Sequence, residues 1–157
     1  PETFPVDLSV IIVKNGYITS EIEQQFISSV AEQLEKSDNI ARVVPIPEFL
    51  LPAQINFAGI QELGIRTLTE YVLVFVIDTD SFFKWTKVVK TKYEITSLVD
   101  FFVVDPQTTA IMTSDKIFSK IAYEQNLFEL GEKEKALQEI FSEQGKMVGE
   151  KLAALFE

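Results

Sequence analysis

The run Tyr71-Val72-Leu73-Val74-Phe75-Val76-Ile77 carries no charged residue on either of the two faces that a β-strand presents. Side chains alternate sides along a strand, so a strand apolar on both faces must be covered on both. That requirement points to an α/β arrangement with layers on each side of a sheet. A second run of this kind, Leu8-Ser9-Val10-Ile11-Ile12-Val13, ends at the turn signal Lys14-Asn15-Gly16. Between the two, Ile22, Phe26, Ile27, Val30, Ala31 and Leu34 recur at spacings of three and four and predict a helix, with Ser20 as N-cap and Glu23 completing a capping box. That helix is expected to stop near Lys36 to Asp38. Ile40 to Ile46 follows as a strand whose Pro45 and Pro47 suit a strand end or a sheet edge. From Asn56 a weaker helical pattern runs through Phe57, Ile60, Leu63 or Gly64, and Leu68.

Beyond Ile77 the residues Asp78-Thr79-Asp80-Ser81 predict a strand end. Val88 to Val104 and Thr109 to about Tyr123 are two β-prone runs around Asp105-Pro106-Gln107-Thr108. Pro106 presets φ for a type I turn, so the two runs read as an antiparallel hairpin. From Glu132 to Glu157 an apolar stripe of Leu137, Ile140, Phe141, Val148, Leu152, Leu155 and Phe156 marks a long amphipathic helix, interrupted at Gln144, Gly145 and Gly149. Either a local weakness or a close helix approach is expected there. The element order is β-α-β-α-β-β-β-α. We expect one α/β sandwich domain over residues 1–157, built on a mixed sheet of about five strands. Residues 1–6 form an extended N-terminal segment, 132–157 the terminal helix, and the first two helices share one sheet face.

Composition narrows the chemistry. The chain has neither cysteine nor histidine, which removes thiol nucleophiles, imidazole bases and the usual zinc ligand sets. A formal net charge of -10 argues against nucleic acid, whose binding draws on clustered basic side chains. No apolar run reaches the length of a spanning helix. No glycine-rich loop or dinucleotide fingerprint is present, Gly59 and Gly64 standing alone. No cofactor is expected. The absence of cysteine fits an oxidising compartment and, nearly as well, a cytosolic one. The start at Pro1 is read as the body of an exported chain whose leader, or lipid-bearing cysteine, lies upstream.

The strand Val76-Ile77-Asp78-Thr79-Asp80 and the stretch Leu98-Val99-Asp100-Phe101-Phe102-Val103-Val104-Asp105-Pro106 resemble the rhombotarget lipoprotein family of bacterial envelope proteins. The element order is similar, at the level of fold, to the amino-terminal domain of the Tol-system propeller protein, the curli-secretion lipoprotein and outer-membrane activators of peptidoglycan synthases. The resemblance implies a place in the periplasm or outer membrane and no transferable activity. The family's lipid-attachment cysteine is not in this sequence.

Three sets of residues could carry function. Asp78, Asp80, Asp100 and Asp105 could form a carboxylate pair or hold a hard cation; the commoner role of such aspartates is to cap turns. The segment Phe82-Phe83-Lys84-Trp85-Thr86-Lys87-Val88-Val89-Lys90-Thr91-Lys92 holds four of the fourteen basic residues and no acid. Phe82, Phe83, Lys84, Trp85, Lys87 and Lys90 are therefore the partner-binding candidates. Their plainer reading is an edge strand protected by lysines, with Trp85 in the core. The terminal helix could offer its stripe to a partner, although such stripes ordinarily pack on their own sheet. The reading that follows is a non-catalytic envelope module binding a protein partner, without catalytic or metal residues, reaching the membrane only through an upstream lipid anchor. The alternatives are a divalent-cation-dependent hydrolase or transferase using the aspartates, and a glycan- or small-ligand-binding domain.

Overall fold

A computed structural model describes residues 5–16, 18–47, 50–51, 56–126 and 131–156. In chain order the elements are β1 (Val6–Asn15), α1 (Ser20–Leu34), β2 (Ile40–Pro45), α2 (Phe57–Thr67), β3 (Tyr71–Lys87), β4 (Lys90–Val104), β5 (Ile111–Asn126) and α3 (Glu132–Leu155). The five strands form one mixed sheet in the order β2-β1-β3-β4-β5. β1 lies parallel to β2 and β3, whereas β3, β4 and β5 run antiparallel. The expected α/β class, element order, mixed sheet and long terminal helix are all present.

The two helices of the parallel half do not share a face. Phe26, Val30 and Leu34 of α1 pack with Leu8, Val10, Leu73, Phe75 and the α3 stripe. Ile60 and Leu63 of α2 pack with Ile11, Val72, Val74 and Val104 on the opposite side. The chain moves outward from β1 to β2 and then returns past β1 to β3. Two right-handed crossovers in opposite directions necessarily place their helices on opposite faces. This geometry also explains the apolar run: Leu73, Phe75 and Ile77 face one layer, Val72 and Val74 the other, all of them buried.

Local chemistry adjusts several boundaries. α1 is capped by Thr19, not Ser20: Thr19 is extended, and its hydroxyl accepts the N–H of Ile22 at 3.3 Å. Glu23 completes no capping box and instead pairs with Lys14 at 2.8 Å. β2 takes the sheet edge that its prolines suggest. α2 ends on Leu68, held at φ 55 and exposed, where the spacing expects a core residue. Gly64 lets α2 settle directly onto the Pro106 side chain.

The terminal helix packs as expected. Leu137, Ile140, Phe141, Val148 and Leu152 are buried, while Leu155 stays exposed. The glycines mark a close helix approach. A Cβ on Gly145 would lie 2.7 Å from that of Ser29 and 2.8 Å from the Phe26 carbonyl oxygen; one on Gly149 would lie 2.7 Å from that of Gln33. Gln144 is fully buried and donates from Nε2 to the Ser97 carbonyl at 2.8 Å, fixing α3 against the centre of β4.

β3 departs most from expectation. It does not end at Asp78 to Ser81 but continues to Lys87, and the reversal into β4 is the two-residue connection Val88-Val89. β4 accordingly begins at Lys90, not Val88. The β4–β5 hairpin forms where expected. Its turn is wider than a type I turn, because Thr109, at φ 58, donates its N–H to the Asp105 carbonyl at 2.8 Å.

Candidate functional site

β1 accompanies β3 only as far as the pair Asn15 and Asp78. Past that point β3 runs nine more residues to Lys87, paired on one side with β4, which is itself paired with β5. At about 3.3 Å per residue, the hairpin tip stands roughly 30 Å beyond the last residue paired to β1. Among the described residues no strand pairs with the other side of this stretch, so it is a free sheet edge. All residues from Ser81 to Lys90 are exposed.

Two devices shape the extension. An aromatic row crosses it on the α3 side: Phe83 meets Tyr93 edge-on at 6.1 Å between ring centroids, and Tyr93 stacks on Tyr123 at 5.4 Å. Tyr123 packs at the border of the main core, where burial pushes its phenol above the ordinary tyrosine value. The row therefore ties the extension to the rest of the sheet. The second device is a β-bulge. Phe82 opposes Glu94 and Phe83 opposes Tyr93, but the next pair is Trp85 with Lys92, leaving Lys84 as the extra residue. Simple alternation would put Trp85 on the side of Phe83. The bulge turns it instead to the side of Phe82, since Lys92 and Glu94 share one face of β4.

The outer hairpin thus presents Phe82 and Trp85 on one face and Phe83 on the other, with Lys84, Lys87 and Lys90 along its edge and tip. Lys84 makes a long contact of 3.5 Å with Glu94, of little energetic weight at this exposure. Val88, at the apex, is 90% exposed and has φ 54. A β-branched residue in the left-handed region is costly, and turns of two residues favour Gly, Asn or Asp there. The chain thus keeps an apolar side chain where both strain and water oppose it. The plainer reading of the segment is met in part: the lysines do guard an edge, but Trp85 is 39% exposed and does not belong to the core.

The aspartates do not converge. Asp78 and Asp80 lie within β3, not in a turn, on the face opposite α3. Asp105 follows Val104, which pairs with Val72, and so lies roughly 20 Å or more along the sheet from both. Its Oδ1 accepts the Gln107 N–H at 2.9 Å, the turn-capping role. Asp100 sits between Val76 and Lys116 in the sheet register, half-buried on the face left open by α3. Among the described residues no three carboxylates are grouped as ligands for a metal ion. A shallow cleft of about 520 Å³ lies between the end of α2 and the β4–β5 turn, lined by Gln61, Ile65, Leu68, Glu70, Pro106 and Gln107. Among the described residues it holds a single carboxylate, Glu70, and no second titratable group to work with it.

No protein-family model matches the chain, and no curated protein does. Solved structures share the fold. A minor lipoprotein from Acinetobacter baumannii superposes with a TM-score of 0.58 at 12% identity, over 96% of this chain and 94% of that one. Rare lipoprotein B from Shewanella oneidensis gives 0.52 at 15% identity, over 95% of each chain. A neuraminyllactose-binding hemagglutinin homolog from Helicobacter pylori gives 0.52 at 15% identity, over 98% of this chain and 83% of that one. Likeness at this identity establishes a fold shared with bacterial lipoproteins. The finer resemblance to the rhombotarget lipoproteins rests on the two short aspartate-bearing stretches alone.

Proposed function

We propose that this chain is a non-catalytic module of the bacterial cell envelope, held in the periplasm or at the outer membrane, that docks a protein partner on the outer β3–β4 hairpin. The observation that carries the proposal is the tip itself. Phe82, Phe83, Trp85, Val88 and Val89 are all exposed, in a segment from Phe82 to Lys92 that carries four lysines and no acid, on a chain of net charge -10, the nearest acid being Glu94 across the hairpin. Aromatic groups with cationic neighbours are the composition of binding hot spots, and a strained apolar apex has no structural benefit to offset its cost. The fold shared with two proteins named as lipoproteins supports the compartment. The scatter of Asp78, Asp80, Asp100 and Asp105 favours binding over hydrolysis.

The test is photo-crosslinking in the cells that make the full-length protein. A photoreactive residue at position 85 is expected to give one discrete adduct with an envelope protein, and the same residue at Glu150 on the exposed side of α3 none. A full-length protein confined to the cytosol, or equal labelling at the two positions, overturns the proposal.

A further inference from the structure

The docking surface has an edge as well as side chains. From Ser81 to Lys87 the side of β3 that faces away from β4 has no strand against it among the described residues. In an antiparallel pair every second residue turns its N–H and C=O away from the partner strand. This stretch therefore presents a row of backbone donors and acceptors to solvent, the template on which an extended peptide adds as a further strand.

We propose that the partner is recognised by strand addition, through an extended acidic segment that pairs with the Ser81–Lys87 edge of β3. The inference rests on the docking function proposed above and specifies its occupant. The lysines decide the charge. Lys84 sits in the bulge on this edge, Lys87 closes it, and Lys90 and Lys92 stand on the adjoining strand. Two copies paired edge to edge would bring Lys84 and Lys87 of one against those of the other, and like charges opposed across a sheet are destabilising. Neutral strands gain nothing from these lysines to offset the bulge, which any added strand must accommodate. An acidic strand converts the same guards into ion pairs. Phe82 and Trp85, brought to one face by the bulge, flank the added strand and can cover its apolar side chains, with Phe83 doing so on the other face.

The test uses the full chain and a synthetic peptide of about ten residues, a typical strand length or slightly more, alternating Glu with Val and Thr. Two control peptides replace Glu by Lys, or keep Glu and methylate alternate backbone nitrogens. The acidic peptide is expected to bind about tenfold or more tightly than the basic one, and Lys84→Gln with Lys87→Gln to remove most of that preference. Amide exchange on bound protein is expected to slow about tenfold at the outward-facing N–H groups between Ser81 and Lys87. Backbone methylation is expected to abolish both effects. Equal binding by the methylated peptide, protection along β5 instead, or no preference for acid overturns strand addition. So does a Trp85 emission shift on phosphatidylglycerol vesicles with none on the acidic peptide, which assigns the tip to a lipid surface. If the crosslink at position 85 persists while the peptide fails, only the mode of recognition falls. If both fail, the docking function falls with it.

Discussion

Gly145→Ala probes the packing that holds α3, and with it one face of the sheet, in place. In an exposed helix the change stabilises by about 0.8–1.0 kcal/mol through propensity alone. Here the new Cβ would sit 2.7 Å from the Ser29 Cβ and 2.8 Å from the Phe26 carbonyl oxygen. Carbon atoms in contact prefer about 3.5–4.0 Å, so α1 and α3 must separate by roughly an ångström. One of the obstructing atoms belongs to the α1 backbone, so no side-chain rotation relieves it. Overpacking of this kind costs about 1–3 kcal/mol, or more where the backbone must move. After the propensity gain, the expected net loss is up to about 2 kcal/mol, a fall in Tm of as much as roughly 8 °C for a chain of this size. Urea denaturation followed by circular dichroism measures it, with Met147→Ala, on the exposed side of the same helix, expected within about 0.5 kcal/mol of the parent. Ser29→Gly in the same chain removes one of the two obstacles and is expected to recover part of the loss. A Gly145→Ala variant that gains stability by the full propensity term refutes the close approach of α1 and α3.

Other outcomes follow from the same geometry. Val88→Asn is expected to stabilise the chain by about 1 kcal/mol, because Asn tolerates the left-handed region, while weakening partner capture in the crosslinking assay; a stabilised variant with undiminished capture removes the apex from the docking surface. Gln144→Leu removes the hydrogen bond to the Ser97 carbonyl together with a buried amide oxygen that has no protein partner, and is expected to cost about 0.5–1 kcal/mol. Ser97→Ala removes a buried hydroxyl that has no protein hydrogen-bond partner and is expected to cost less than about 0.5 kcal/mol; denaturation midpoints that rank the two variants in reverse contradict the assigned roles. The phenol of Tyr123 is raised first by burial, with the Ser81 hydrogen bond opposing and Tyr93 adding to the rise. The unfolded chain then loses this proton first as pH climbs, so stability falls from about pH 10 upward until the folded phenol also titrates. Tyr123→Phe is expected to flatten that alkaline fall in thermal melts taken across pH 9–11 (roughly the window around the free phenol value), and an unchanged slope argues against a half-buried Tyr123 packed on the core.

Much of the fold could be read from periodicity because burial here is plain. Tyr71 to Ile77 and Leu8 to Val13 have no charged residue to mislead, and the α3 stripe repeats at helical spacing through Leu152. The end of β3 could not be read that way. Asp78-Thr79-Asp80-Ser81 has the composition of a turn yet lies in a strand, where these residues sit at or past the last pairing with β1; Asp78, Asp80 and Ser81 keep contact with water there, while the Thr79 hydroxyl is buried without a protein partner. The true reversal, Val88-Val89, has the composition of a strand interior and carries no turn residue at all. Local chemistry and observed structure disagree most at the tip, the place proposed for recognition; functional sites are where such rules are commonly broken. The facing of α2 was equally hidden, because it depends on strand order, which no single segment encodes. The basic and aromatic character of Phe82 to Lys92 was legible as a surface. The bulge that brings Trp85 beside Phe82 was not, since nothing in the wording of Phe83-Lys84-Trp85 distinguishes an extra residue from regular alternation.

Crosslinking from position 85 in the native cell tests the docking account most directly. A single envelope-protein adduct is predicted, lost when Lys84 and Lys87 are both changed to glutamine and absent from the Glu150 position. Adducts of the same pattern from both positions, or an adduct indifferent to the two lysines, would contradict a docking surface on the outer β3–β4 hairpin.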